Sequence, residues 1–222
     1  ARLIVLYVTR LDLGATISKL FDQYSRGKQG AQPTFKVLHA VQMLQYPPGT
    51  NNWPEAEKLL REAGAQATDY AYPWYFLGEV EIAKLRSGLA SSNKGAMEVV
   101  DTALSIRPDF FQAVLLKSDL LMTARPAREA EAAKILEPLL AKDAPSAADL
   151  ENLLSVYGRV ASQDAMLKQI DAIMARPSTS KQLRASAAII AAAANKHVMN
   201  LDGALDWVGK AKANIDEKVD TE

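Results

Sequence analysis

Trp74-Tyr75-Phe76-Leu77-Gly78, then after a polar break Ala96-Met97-Glu98-Val99-Val100-Asp101-Thr102-Ala103, closed by Ile106-Arg107-Pro108, is the stretch that decides the fold. Two helices pack closely in antiparallel fashion when small residues sit where their backbones cross. Gly78 and Ala96 are placed for that crossing. Leu77, Val100 and Ala103 are expected to fill the seam, and Pro108 stops the second helix. Residues 87–95 form the inner loop. The aromatic cluster Tyr70, Tyr72, Trp74, Tyr75 and Phe76 is the densest in the chain; Trp74 and Phe76 are expected between neighbouring hairpins.

The same design extends to both sides. Upstream, Phe35, Leu38, Val41, Met43 and Leu44 suggest a helix ended by Tyr46-Pro47-Pro48-Gly49. Asn52-Trp53-Pro54-Glu55 then reads as a helix start, with Asn52 as cap and Ala56, Leu59, Leu60 and Ala63 as the face that follows. Downstream, Asp109 is expected to cap a helix carrying Ala113, Val114, Leu116, Leu120 and Leu121. Its mate, 130–140, carries Ala132, Leu136 and Leu139, with Pro138 kinking or shortening its last turn. Leu150, Leu153, Leu154 and Tyr157 mark the next first helix, and Met166, Ile170 and Ile173 its partner. An alanine-rich helix over 180–195 follows. Asn200 is expected to cap the last helix, where Ala204, Val208 and Ala211 repeat the spacing of Ala96, Val100 and Ala103.

The first seam residues of the five second helices are Ala56, Ala96, Ala132, Met166 and Ala204, at intervals of 40, 36, 34 and 38. Aromatic, Leu-Gly, a small residue opening the second helix, an apolar residue, Ala and a closing Pro together resemble a tetratricopeptide (TPR) repeat, whose period is about 34 residues. Only the central hairpin carries most of that signature. Lys117 and Ser118 stand where the third hairpin would have Leu and Gly. The expected fold is all-α, a right-handed solenoid of about five TPR-like hairpins over 31–222. Residues 1–30 form a separate N-terminal segment. Its apolar run from Leu3 to Val8 is far shorter than the ~20 residues that span a bilayer. It reads as a capping helix or as the stub of a membrane anchor. Ile17, Leu20, Phe21 and Tyr24 give one apolar helical face within it.

Composition narrows the function classes. Lys+Arg and Asp+Glu are both 26, so no basic excess points to nucleic acid. With no cysteine there are no disulfides, thiolate metal sites or thiol nucleophiles. No Gly-rich phosphate loop, HExxH or Gly-x-Ser-x-Gly occurs. His39 and His197 have no neighbouring ligand pattern. Glu79 and Glu81, like Glu129 and Glu131, are two apart and point to different helix faces. No cofactor, metal or catalytic activity is expected.

In a TPR array the first helices line a concave groove for peptides or partner helices. By that resemblance the groove positions are Tyr72, Tyr75, Glu79, Gln112, Leu115, Asp119, Glu151, Ser155, Arg159, Ser186, Ile189 and Lys196. Some TPR domains clamp a chaperone's C-terminal carboxylate with Lys and Asn; here the matching positions hold Tyr75 and Glu79, and an acid repels a carboxylate. The resemblance therefore implies a protein-interaction scaffold or assembly adaptor without chaperone-tail binding. The alternative is a structural subunit built permanently into a larger complex. The N-terminal apolar run makes membrane association and a bacterial envelope location the favoured special case.

Overall fold

The computed structural model describes residues 28–45, 52–124, 126–144 and 146–215. The segment proposed above as cap or anchor stub lies almost wholly outside them. Among the described residues every regular element is helical. A 3-10 turn, Lys28–Ala31, precedes α1 (Pro33–Gln45), α2 (Trp53–Gln66), α3 (Tyr72–Arg86), α4 (Lys94–Ile106), α5 (Phe111–Thr123), α6 (Glu129–Leu140), α7 (Ala147–Val160), α8 (Gln163–Ala175), α9 (Lys181–His197) and α10 (Leu201–Lys212). The all-α fold class with successive helical hairpins is thus what the chain adopts. The chain forms two compact units, Ala1–Leu120 and Leu121–Glu222, with the division inside α5.

In the first unit α3 is the shared element. One face packs with α1 and α2 through Val37, Ala40, Ala56, Leu60, Ala63, Leu77 and Val80. The other packs with α4 and α5 through Ile82, Ala96, Val100, Ala103, Phe110, Ala113 and Leu116. Gly78 sits where the backbones approach: a Cβ there would lie 2.6 Å from Val100 Cγ2 and 3.2 Å from Leu116 Cδ2. Trp74 fills the space between hairpins, as its spacing implied. A Cβ on Gly64 of α2 would come within 2.8 Å of the indole. Ion pairs tie the helices at the rim. Lys36 reaches Glu62 at 2.6 Å, Lys84 bridges Glu57 and Glu81, and Lys117 meets Asp101 at 2.7 Å. Burial pushes Glu57 up, but the hydrogen bonds and charges of Lys84 and Arg61 together outweigh it and hold the carboxyl below its usual range.

Helix starts differ between the units. Asn52 and Asn93 stand at the caps of α2 and α4, yet neither side chain makes a capping bond. Asn93 instead donates its amide to Leu120 O at 2.9 Å, pinning the inner loop to α5. Asp109 is not a cap either, because α5 begins at Phe111 and Asp109 turns back toward Arg107 at 3.5 Å. In the second unit every cap of α7 through α10 is made. Ser146, Ser162, Ser180 and Asn200 accept from Asp149, Ala165, Leu183 and Gly203 N–H respectively. Asn200 also donates to Asn195 Oδ1 at 2.8 Å, and Asn195 donates to Ala191 O at 2.9 Å. Asp143 joins Arg176 at 3.0 Å and Thr179 at 2.6 Å, locking the end of α6 to the turn before α9. Pro138 lies inside α6, which runs on to Leu140, so the ring costs the bond back to Lys134 O without stopping the helix at that point.

The seam of α10 is not the one its spacing implied. Trp207 and Ala211 are buried, Ala204 is half-buried, and Val208 faces outward. The indole is the larger surface to remove from water, so it takes the inward position and rotates the helix.

Candidate functional site

The aromatic anchors expected in a groove are mostly spent on packing. Tyr72 is half-buried with its ring 4.8 Å from Phe110 and 5.5 Å from Tyr70. The Tyr75 ring lies 5.0 Å from Phe76 and 5.2 Å from Phe110. Its hydroxyl donates to Glu79 Oε1 at 3.0 Å, one helical turn on. Burial pushes the Tyr75 hydroxyl far above its ordinary pKa, and the adjacent Glu79 charge pushes it further. Burial also raises Glu79, and Asp119 adds to that rise; the Tyr75 hydrogen bond and the Arg86 charge oppose it. Glu79 and Asp119 therefore share one electrostatic neighbourhood on α3 and α5. Gln112 is half-buried on the same helix as Asp119, and Leu115 is buried.

In the second unit the structure brings two of the expected residues into one cavity of about 510 Å³. Ser155 and Arg159 of α7 stand at its rim with Gln163 of α8 and His197 of α9. Leu154, Gly158, Met166 and Ile190 make an apolar lining, completed by Ala193 and Ala194. Gly158 keeps the cavity open, since a Cβ there would lie 2.8 Å from Met166 Sδ. Glu151 is exposed one turn before Ser155. On α9 the lining residues are Ile190, Ala193, Ala194 and His197, at i, i+3, i+4 and i+7, a single face. Ile189 and Lys196, one position off that face, are exposed, and Ser186 is buried. The face was readable from that spacing, but the run of alanines hid it. His197 lies in the last turn of α9, and its ring has the cavity before it.

The arrangement offers hydrogen-bond donors and one fixed positive charge around an apolar hollow. It suits the binding of an apolar group flanked by polar ones. Among the described residues no three His, Cys, Asp or Glu side chains gather to hold a metal ion. Among them, too, no helix is long and apolar enough to cross a membrane.

No protein-family model matches the sequence, and no curated protein matches it. Solved structures do. The chain is similar to YrrB, whose crystal structure is described as that of a TPR protein with an unusual peptide-binding site. The two superpose with a TM-score of 0.51 over 90% of this chain and 95% of that one, at 14% identity. The fold is TPR-like. At that identity the likeness concerns backbone architecture. The central hairpin of this chain carries the Gly78 crossing and the Trp74 wedge.

Proposed function

We propose that this chain is a non-catalytic protein-interaction scaffold that takes a partner peptide on the faces of its first helices. The cavity between α7 and α9 carries the reading. A partner's apolar side chain would rest on Leu154, Met166 and Ile190. The Arg159 guanidinium would meet a carbonyl or carboxylate on the same peptide, with Ser155, Gln163 and His197 as further polar contacts. The peptide-binding character of YrrB supports this reading at the level of class. Glu151, Ile189 and Lys196 extend the surface along the second unit. Glu79, Gln112 and Asp119 form a separate, half-buried polar face on the first.

The test is a pull-down from the source cells with wild type beside Arg159→Glu and Gly158→Val. The first reverses the rim charge, and the second fills the hollow from a position where only the flexible Met166 thioether must yield. Loss of the same partner from both, with helicity unchanged, supports the groove. A partner held equally by all three proteins would remove the interface from this cavity.

A further inference from the structure

The outward face of α10 is an apolar surface that no described residue of the chain covers. Leu201 is 57% exposed, Leu205 69%, Val208 40% and Ile215 56%. With Lys212, the positions on the helix fall at 201, 205, 208 and 212, the alternating four-three spacing of a helix–helix seam, and Ile215 follows just past the end of the helix. Trp207 and Ala211 hold the opposite face down, so the stripe cannot turn inward. A helix face in a repeat stack that meets only water is ordinarily polar.

Two further observations bear on what covers it. Gly209, beside the stripe, would have nothing within 4 Å of an added Cβ. A glycine inside a helix weakens it by about 1 kcal/mol, and no contact among the described residues calls for it; it leaves room for another backbone. The charges are also arranged head to tail. Asp202 flanks the stripe at the N-terminal end of α10, and Lys212 interrupts it at the C-terminal end.

We propose that α10 pairs antiparallel with α10 of a second copy of this chain about a two-fold axis. In that register Leu205 packs on Val208 of the second copy, and Val208 on its Leu205. Lys212 lays its stem over Leu201 of the second copy and its ammonium reaches Asp202 there. Every contact occurs twice, as an isologous interface requires. A parallel pairing would set Lys212 against Lys212 and Asp202 against Asp202. A single short helix face makes a small interface, so the dimer is concentration-dependent.

The test is sedimentation equilibrium of the full chain at several concentrations. The wild type should move from 24.1 kDa toward twice that mass by concentrations on the order of 100 µM. Leu205→Gln should weaken association by about tenfold or more. Asp202→Lys should weaken it most at low salt, and Asp202→Lys with Lys212→Asp should restore it. Both changes in that double variant oppose the helix dipole, so far-UV circular dichroism can only show α10 loosened while the dimer returns. A wild type that stays at one chain mass throughout overturns the proposal. So does a dimer that Leu205→Gln leaves intact, or a double variant as weak as Asp202→Lys alone.

Discussion

Replacing Gly78 with alanine tests the helix crossing on which the first unit is built. Two effects oppose each other. Alanine is favoured over glycine inside a helix by about 1 kcal/mol. The new Cβ, however, meets Val100 Cγ2 at 2.6 Å and Leu116 Cδ2 at 3.2 Å. Val100 is fully buried, and a valine in a helix has one strongly preferred χ1, so it cannot swing aside. Overpacking of this kind costs about 1–3 kcal/mol. Gly78→Ala should therefore destabilise the first unit by up to about 2 kcal/mol, the difference between those terms. Val100→Ala removes the offending methyl, and in that background the helix preference should emerge, so Gly78→Ala becomes stabilising by up to about 0.5–1 kcal/mol. The assay is urea unfolding followed by tryptophan fluorescence in a Trp207→Phe background, which leaves Trp53 and Trp74, both in the first unit, as reporters. The reversal of sign is the diagnostic. Effects additive within about 0.5 kcal/mol would refute the crossing argument.

Other outcomes follow from particular contacts. Ser162→Ala should lower the stability of the second unit by about 1 kcal/mol through loss of a made cap, whereas Asn52→Ala, whose side chain makes none, should change the first by only a few tenths; urea midpoints of the two variants decide it. The Ser118 hydroxyl is buried with no hydrogen-bond partner among the described residues, so Ser118→Ala should raise the urea midpoint by an amount equivalent to about 1 kcal/mol. Glu79 is raised above its unfolded value by burial, so folding binds its proton more tightly; its contribution improves as pH falls from above its folded pKa toward the ordinary carboxylate range. Glu79→Gln should remove that part of the pH dependence, and parallel stability profiles for the two proteins would contradict it. Glu57 works in the opposite sense: held low by Lys84 and Arg61, its contribution is present at neutral pH and is lost as pH drops through its folded value. Glu57→Gln should therefore flatten the acid limb of the first unit's unfolding curve.

Architecture was legible in the sequence because it rests on spacing. Gly78 with Ala96, and the recurrence of Ala56, Ala96, Ala132 and Met166, fix which faces meet, and all of these are buried. What spacing could not rank was competition between side chains. Ala204, Val208 and Ala211 matched the pattern, yet Trp207 won the inward place on α10. Asn52 looked like a cap but makes no such bond, and Asn93 spends its amide on a distant carbonyl, a contact no local pattern encodes. The lining of the candidate cavity was only partly legible. Tyr72 and Tyr75 have the chemistry of anchors, but Phe110 arrives from another hairpin and absorbs them. Ser155 and Arg159 do line a cavity, while its far wall lies one residue away from Ile189 and Lys196.

The unequal capping of the two units bears on how portable their parts are. Each of α7 to α10 carries its own start instruction within four residues, in a hydroxyl or amide that closes on the first turn. Helix α4 begins where it does because the rest of the first unit holds it there. A hairpin such as 146–175 transplanted into another repeat stack would therefore keep its boundaries. The central hairpin, for all its richer signature, would lose the Asn93 tie to Leu120 and let its second helix start at a different residue. Fidelity to a repeat motif and independence as a building block are here properties of different segments.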